Sequence, residues 1–266
     1  MKENKKKLIS VIVPAFRQEK TIQRDLKNIE EVLKTIRYDY EIICVIDGKL
    51  DKTYNNAAKV ASDKISVIGY KNNRGKGFAV RYGMARAKGD LIAFIDAGMD
   101  IDPNGISMIL EHMEWYGADI IVGSKRHPAS EIKYPITRRI LSFITQIIVR
   151  LLLDLKVRDT QVGLKVFKRK VLEDTLPRLL LKRFAFDVEL LAVAKRIGYD
   201  RIYEAPVKIE SKYSSSVKLL GKNSVQESFL DTLAIFYRLK ILRYYDDCNK
   251  RKWVYDPDLN FRVNVG

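Results

Sequence analysis

Leu91-Ile92-Ala93-Phe94-Ile95-Asp96-Ala97-Gly98-Met99-Asp100 is the stretch on which the fold turns. Five apolar residues run without a break and stop at two carboxylates four positions apart, with Asp102-Pro103 close behind. A short, fully apolar run suits a central strand of a parallel sheet covered on both faces. In open α/β sheets, ligands bind beyond the carboxyl ends of such strands. Carboxylates placed there can hold a hard divalent cation, which in turn can hold a diphosphate. A lone Asp in this position would read as a solvated acidic turn, so the flanking segments must decide.

The flanks repeat one unit. Leu8 to Pro14 reads as a buried strand, and Ile22, Leu26, Ile29 and Leu33 give helical spacing over about 20–35. Glu41 to Ile46 is a second strand ending at Asp47-Gly48, followed by a helix over about 52–62. Ile65 to Ile68 is a third strand, and 75–88 is helical. After the fourth strand, at 91–95, Asp102 is placed to cap a helix with Pro103 at its first position. Ala118 to Val122 makes a fifth strand. Repeated β-α units of this length predict an α/β fold, a mostly parallel sheet with helices on both faces.

The second half is different. Ile140 to Leu155 is apolar, with Ser142, Gln146, Arg150 and Asp154 recurring every four residues as a polar stripe. At about 1.5 Å per residue it is roughly 24 Å long, short of a ~30 Å hydrocarbon core. It therefore packs in the protein or lies in a membrane interface. Phe184 to Ile197 is helical, Ile202 to Ile209 is an edge strand or two short pieces around Pro206, and 212–223 is a basic, serine-rich loop. Ser224-Val225-Gln226-Glu227 has the pattern of a capping box opening a long helix to about Tyr245. This divides the chain into an α/β unit over 1–215 and an amphipathic helix and tail over 216–266.

The 266 residues suffice for one large α/β domain. Cys44 and Cys248 are too few for a disulfide framework or a zinc site, which fits a reducing compartment. Lys2 to Lys7 is basic, but the apolar run after it is only a strand long, unlike a secretory signal. The net charge is +16; residues 1–130 carry 22 basic and 17 acidic groups, a net of +5, and residues 131–266 carry 27 and 16, a net of +11. A basic half suits an anionic partner. Dispersed basic residues and apolar rather than aromatic strands argue against a nucleic-acid module.

Four strand ends converge in this reading. They bring Pro14-Ala15-Phe16 and Glu19, then Asp47 and Asp51, then Asn72 to Gly77, then Asp96 and Asp100. Neither the Walker spacing nor G-x-G-x-x-G is present in Asn73-Arg74-Gly75-Lys76-Gly77. An aromatic for a base, carboxylates for base or ribose, and a cation site for phosphates together suit a nucleotide.

With these residues in view, the chain resembles glycosyltransferases of the GT-A fold, family 2. Within them it is similar to the polyprenyl- and dolichyl-phosphate hexosyltransferases, nearest the glucosyl branch. Ser10 to Phe16 through Glu19 is similar to V-V-P-x-[YF]-N-E, Val45 to Asp51 to D-D-G-S-x-D, and Asn73 to Gly77 to N-x-G-K-G. Gly123-Ser124-Lys125-Arg126 resembles G-S-R. Arg158 to Phe167 and Phe184 to Leu191 resemble D-T-Q-x-G-x-K-x-F and F-A-F-D-V-E. The likeness covers about 8–245. Two positions depart from the pattern: Gly98 stands where the second Asp of D-x-D belongs, and Gln18 stands before Glu19 in place of the opening Asn.

The resemblance implies an inverting transfer of a hexose, glucose from UDP-glucose, to a polyprenyl or dolichyl phosphate. Pro14, Phe16, Glu19, Asp47, Lys76 and Asp96 would bind the nucleotide sugar. Asp96 and Asp100 would hold Mg²⁺ or Mn²⁺. Lys125, Arg126 and Arg139 would take the acceptor phosphate, since clustered cations suit it. Asp96 and Asp159 would be the catalytic carboxylates, Asp159 orienting the acceptor loop or acting as a base toward a hydroxyl; a helix-loop cap is its other reading. The enzyme would be peripheral on the cytoplasmic face of a membrane, with no nucleic-acid partner. The alternatives are a GDP-mannose-using mannosyltransferase, a family 2 transferase with a saccharide acceptor, and, from another class, a non-catalytic membrane scaffold.

Overall fold

The computed structural model describes residues 6–98, 100–132, 146–182, 185–209, 222–247 and 252–265. The first half follows the expected alternation. Strand β1 (Leu8–Ala15) leads to α1 (Ile22–Thr35), β2 (Asp39–Asp47), α2 (Thr53–Ala58), β3 (Ile65–Tyr70), α3 (Lys76–Met84), β4 (Leu91–Ile95), α4 (Gly105–Trp115) and β5 (Ile120–Ser124). Then come β6 (Glu131–Ile132), a helix α5 over 146–153, β7 (Leu164–Lys168), α6 (Arg169–Thr175), α7 (Phe186–Arg196), β8 (Ile202–Pro206), β9 (Lys208–Ile209) and α8 (Lys222–Phe236). A π-helical turn, Tyr237–Ile241, and a hairpin, β10 (Lys252–Asp256) and β11 (Phe261–Val265), complete the described chain.

Seven strands form one sheet in the order β3-β2-β1-β4-β7-β5-β8. β1 lies parallel to both β2 and β4. Alternation along these apolar strands feeds two cores, one on each face, as a doubly covered sheet requires. Val11, Val13, Cys44, Ile46, Ala93 and Ile95 pack on the side of α1 and α4; Ile12, Val45, Phe94 and Phe167 pack on the side of α3, α7 and α8. Cys44 is a core residue, and burial pushes its thiol up to about 12.

β7 is, with β6, α6 and the β10–β11 hairpin, among the elements that the residue pattern did not announce. It runs antiparallel between β4 and β5, pairing Ile95 with Leu164 and Ile120 with Phe167. Five residues that include two lysines carry too little period to read as a central strand.

Other boundaries move. α2 is shorter than expected, and β5 begins two residues later. α4 starts at Gly105 because Asp102 bonds to Asn104 N at 2.9 Å and makes a turn ahead of the helix, so Pro103 is not its first residue. α8 starts at Lys222, ahead of Ser224, which is therefore not its cap. In α5 the expected polar stripe breaks: Gln146 is buried while Arg150 and Asp154 are exposed. A four-residue step drifts about 40° per step around a helix, enough to carry the stripe from the inside to the outside. Ser142 lies outside the described residues. The 202–209 segment is both of the expected things, an edge strand and a short second piece paired with β6.

Candidate active site

β2, β1 and β4 are adjacent and parallel, so their carboxyl ends emerge side by side. Asp47, Pro14-Ala15-Phe16 and Asp96 are thereby brought to one edge. The Ala97 amide donates to Pro14 O at 3.4 Å, which ties the β4 turn to the end of β1.

Asp96 is the centre of this edge. Lys76, the first residue of α3, donates from Nζ to Asp96 Oδ2 at 2.9 Å and lies 3.6 Å from Asp187 Oδ2. Asp187 Oδ1 in turn accepts from Lys165 Nζ at 2.8 Å. The result is a chain of alternating charge: Asp96, Lys76, Asp187, Lys165. Lys165 is wholly inaccessible and also donates to Val162 O at 2.7 Å. Both ammonium groups stand over the Phe94 ring, at 5.5 and 5.0 Å from its centroid. Burial works to lower Lys76, but Asp187 and Asp96 outweigh it and hold the ammonium above its usual range. Burial prevails at Lys165 and pulls it below that range, against the attraction of Asp187.

Asp47 is engaged by the loop ahead of α3. Its carboxylate is buried and accepts from Tyr70 Oη at 2.9 Å, Asn73 Nδ2 at 2.8 Å, Arg74 N at 2.7 Å and Gly75 N at 3.0 Å. It moulds the loop that delivers Lys76. Glu19 Oε2 accepts from Lys52 N at 3.2 Å ahead of α2, and Phe16 stands exposed at the end of β1 with Arg17 beside its ring.

Asp159, Lys125 and Arg126, expected from the sequence on the acceptor side, gather at the end of β5. Asp159 is buried; its Oδ2 accepts from Lys125 N at 3.2 Å and lies 3.8 Å from Lys125 Nζ, while Oδ1 accepts from Gln161 N at 3.3 Å. Glu204 Oε1 takes the Arg158 and Asp159 amides, and Gln146 Oε1 takes the Thr160 amide and hydroxyl. The 158–161 segment is therefore held from three sides. Lys125 and Arg126 are half-buried beside it. Arg139 lies outside the described residues.

Asp96 fits one arm of a divalent-cation site. Its Oδ1 is buried and has no hydrogen-bond partner, a cost unless a ligand satisfies it. Mg²⁺ is commonly held by one or two carboxylates with the rest of its shell from substrate phosphates and water. Asp100 is half-buried in a bend beyond Met99. Among the described residues no three His, Cys, Asp or Glu side chains converge as a ready-made cage.

Gly163 makes the carboxylate's room. Its carbonyl accepts the Asp96 amide at 2.9 Å, and a Cβ there would fall 2.0 Å from Asp96 Oδ2. Gly163→Ala is expected to displace the carboxylate and lower Mn²⁺-dependent nucleotide binding at least about tenfold, one decade being about 1.4 kcal/mol. Calorimetric titration checks this, and wild-type affinity would contradict it.

Lys165, Asp187 and Gly163 stand in the motif-like stretches, but their mutual contacts depend on the placement of β7. Asp25 gave no signal at all. It sits fully buried in the first turn of α1, and its Oδ2 accepts from Gly98 N at 3.0 Å. Burial pushes this carboxyl up, against hydrogen bonds that favour its charge.

Comparison with known proteins agrees with this layout. The family model for "Glycosyl transferase family 2" matches residues 10–176, more than half of the chain. A dolichyl-phosphate beta-glucosyltransferase of Dictyostelium discoideum is 31% identical over 205 residues, 71% of this chain and 63% of that protein. Its Drosophila melanogaster counterpart is 33% identical over the same shares, so the chain spans under two thirds of the length of these relatives. Among solved structures, glucosyl-3-phosphoglycerate synthase of Mycobacterium tuberculosis, in complex with Mn²⁺, UDP-glucose and phosphoglyceric acid, superposes with a TM-score of 0.66. It is 19% identical, over 86% of this chain and 80% of its own, a likeness of fold. The chain belongs to glycosyl transferase family 2.

Proposed function

We propose that this protein transfers glucose from UDP-glucose to a polyprenyl or dolichyl phosphate, inverting the anomeric carbon. The observation that carries the reading is Asp96: a carboxylate at the sheet's ligand edge, one oxygen held by Lys76 and the other buried and unsatisfied. The sugar and the lipid acceptor are those in the names of the relatives.

Phe16 and Glu19 stand at the end of β1 where a base and ribose would lie, beside Pro14. Asp47 acts indirectly, by shaping the loop that aims Lys76. Asp96 and Asp100 would hold Mg²⁺ or Mn²⁺, which supplies Lewis-acid stabilisation of charge on the leaving diphosphate. Lys76 adds a fixed ammonium at the same place, preorganised by Asp187. A lipid phosphate is already ionised near neutral pH, so attack on the sugar needs no strong base. The work left to the protein is to bring two anions together. Lys125, Arg126 and Arg139 suit that task, and Asp159 serves as the positioning group for Lys125.

The acceptor lies in a bilayer. No helix of the described residues is long and apolar enough to cross one. α8 and its final turn bury Ile235 and Leu239 in the core while leaving Phe229, Leu230, Leu233, Tyr237 and Ile241 open to solvent, with Lys240 and Arg243 also exposed. An apolar stripe edged with cations suits an anionic lipid interface. On this reading the catalytic unit spans 1–215 and the membrane-facing part 216–266, on the cytoplasmic side.

Transfer assays test the proposal with UDP-glucose and GDP-mannose as donors, and polyprenyl phosphate and oligosaccharides as acceptors. Product with UDP-glucose and polyprenyl phosphate is expected. Transfer only from GDP-mannose or only to saccharides would replace it, and no transfer from any pair would leave the scaffold reading.

A further inference from the structure

The two departures from the family's motifs meet in space. Gly98 has φ +105°, a conformation that favours glycine, and a Cβ built on it points at the Gln18 carboxamide, with Nε2 at 3.6 Å and Oε1 at 3.9 Å. Gln18 is fixed for this. Its amide donates to Thr53 Oγ1 at 2.8 Å, its carbonyl accepts from Thr21 N and Ile22 N, and its Oε1 accepts from Thr21 Oγ1 at 3.0 Å. The carboxamide thus stands against the room that a side chain on residue 98 would enter.

A carboxyl group arrives at residue 98 from a third element. Asp25 Oδ2 accepts the Gly98 amide, and Asp25 Oδ1 is buried with no hydrogen-bond partner; Arg24 Nη2 is 3.7 Å away. A fully buried carboxyl oxygen without a partner is unfavourable unless something satisfies it. It stands against the loop two residues from Asp96, whose Oδ1 is also buried and unsatisfied.

We propose that Asp25 and Gln18 together rebuild, around Gly98, the half of the diphosphate-cation site that a second motif carboxylate would otherwise supply. Asp25 is the positioning residue: it holds the loop between Asp96 and Asp100 and returns the missing negative charge through space. Gln18 takes the steric place of the missing side chain and offers a neutral oxygen. The inference rests on the reading that Asp96 holds a cation with a nucleoside diphosphate.

The test is calorimetric binding of UDP to the full chain with and without Mn²⁺. Wild-type protein is expected to bind UDP more tightly with the metal; no such gain would overturn the cation reading and this inference with it. Asp25→Asn keeps an acceptor for the Gly98 amide and removes the charge. It is expected to lose about tenfold of the Mn²⁺-dependent gain, with metal-free UDP affinity and melting temperature retained. Adding Gln18→Glu to that variant returns a charge beside Gly98 and is expected to recover most of the loss. A full Mn²⁺ response in Asp25→Asn, or no recovery in the double variant, would overturn the inference while leaving Asp96 in place. Should Asp25→Asn fail to fold, Gln18→Ala at the half-buried site gives the same readout: a weakened Mn²⁺ response supports the proposal, and an unchanged one ends it.

Discussion

Asp96→Asn is expected to lower sugar-transfer turnover at least about a hundredfold, while the melting temperature moves by no more than about 4 °C. The substitution is nearly isosteric, so the room made by Gly163 stays filled. What changes is charge: the orphan Oδ1 loses its pull on a cation, and Lys76 keeps only Asp187 as an ionic partner. Fixed charges aimed at a leaving group act where water is scarce, so removing one commonly costs two to three decades in rate. Initial rates at saturating donor, with melts on the same preparations, give the comparison. Turnover within a factor of three of wild type would remove Asp96 from the chemistry.

The largest effect on stability is expected at Asp187. Lys165 has no exposed side-chain surface and loses its carboxylate partner in Asp187→Ala. Stripping one member from a buried pair leaves an uncompensated charge and costs about 3–5 kcal/mol. A urea midpoint lowered by more than 1 M would follow at an m-value of about 2 kcal/mol per M. The double variant Lys165→Met/Asp187→Leu replaces the pair by apolar groups and is expected to regain most of that stability. It should not regain activity, because Lys76 would still lack its second carboxylate. A stable Asp187→Ala protein would show that Lys165 can discharge or reach water instead.

Much of this site was legible before any coordinates. The apolar runs at 8–14, 41–46 and 91–95 mark central strands, and a parallel arrangement sends their carboxyl ends to one edge whatever the details. Asp47 and Asp96 therefore come to the same edge, on either side of β1. Their division of labour was not legible. A carboxylate after a strand reads the same whether it accepts loop amides, as Asp47 does, or keeps one buried oxygen unpartnered, as Asp96 does. Which occurs depends on whether the next loop folds back over it. The Gln146 and Asp102 readings missed for a related reason: local spacing describes a face or a cap, and packing then chooses which way the face turns and where the first helical hydrogen bond forms.

The amino-acid sequence by itself determined the doubly covered α/β sheet, because hydrophobic period and turn residues are local properties that neighbouring residues express together. It also carried the family membership, through motifs spread along more than half of the chain. Only the tertiary structure decided that β7 enters antiparallel between β4 and β5, setting Gly163 against Asp96 and burying Lys165 beside Asp187. Only it brought Asp25 and Gln18 to Gly98. Those contacts join residues tens of positions apart, and their energy comes from burial and charge pairing that no single segment possesses until the others are in place.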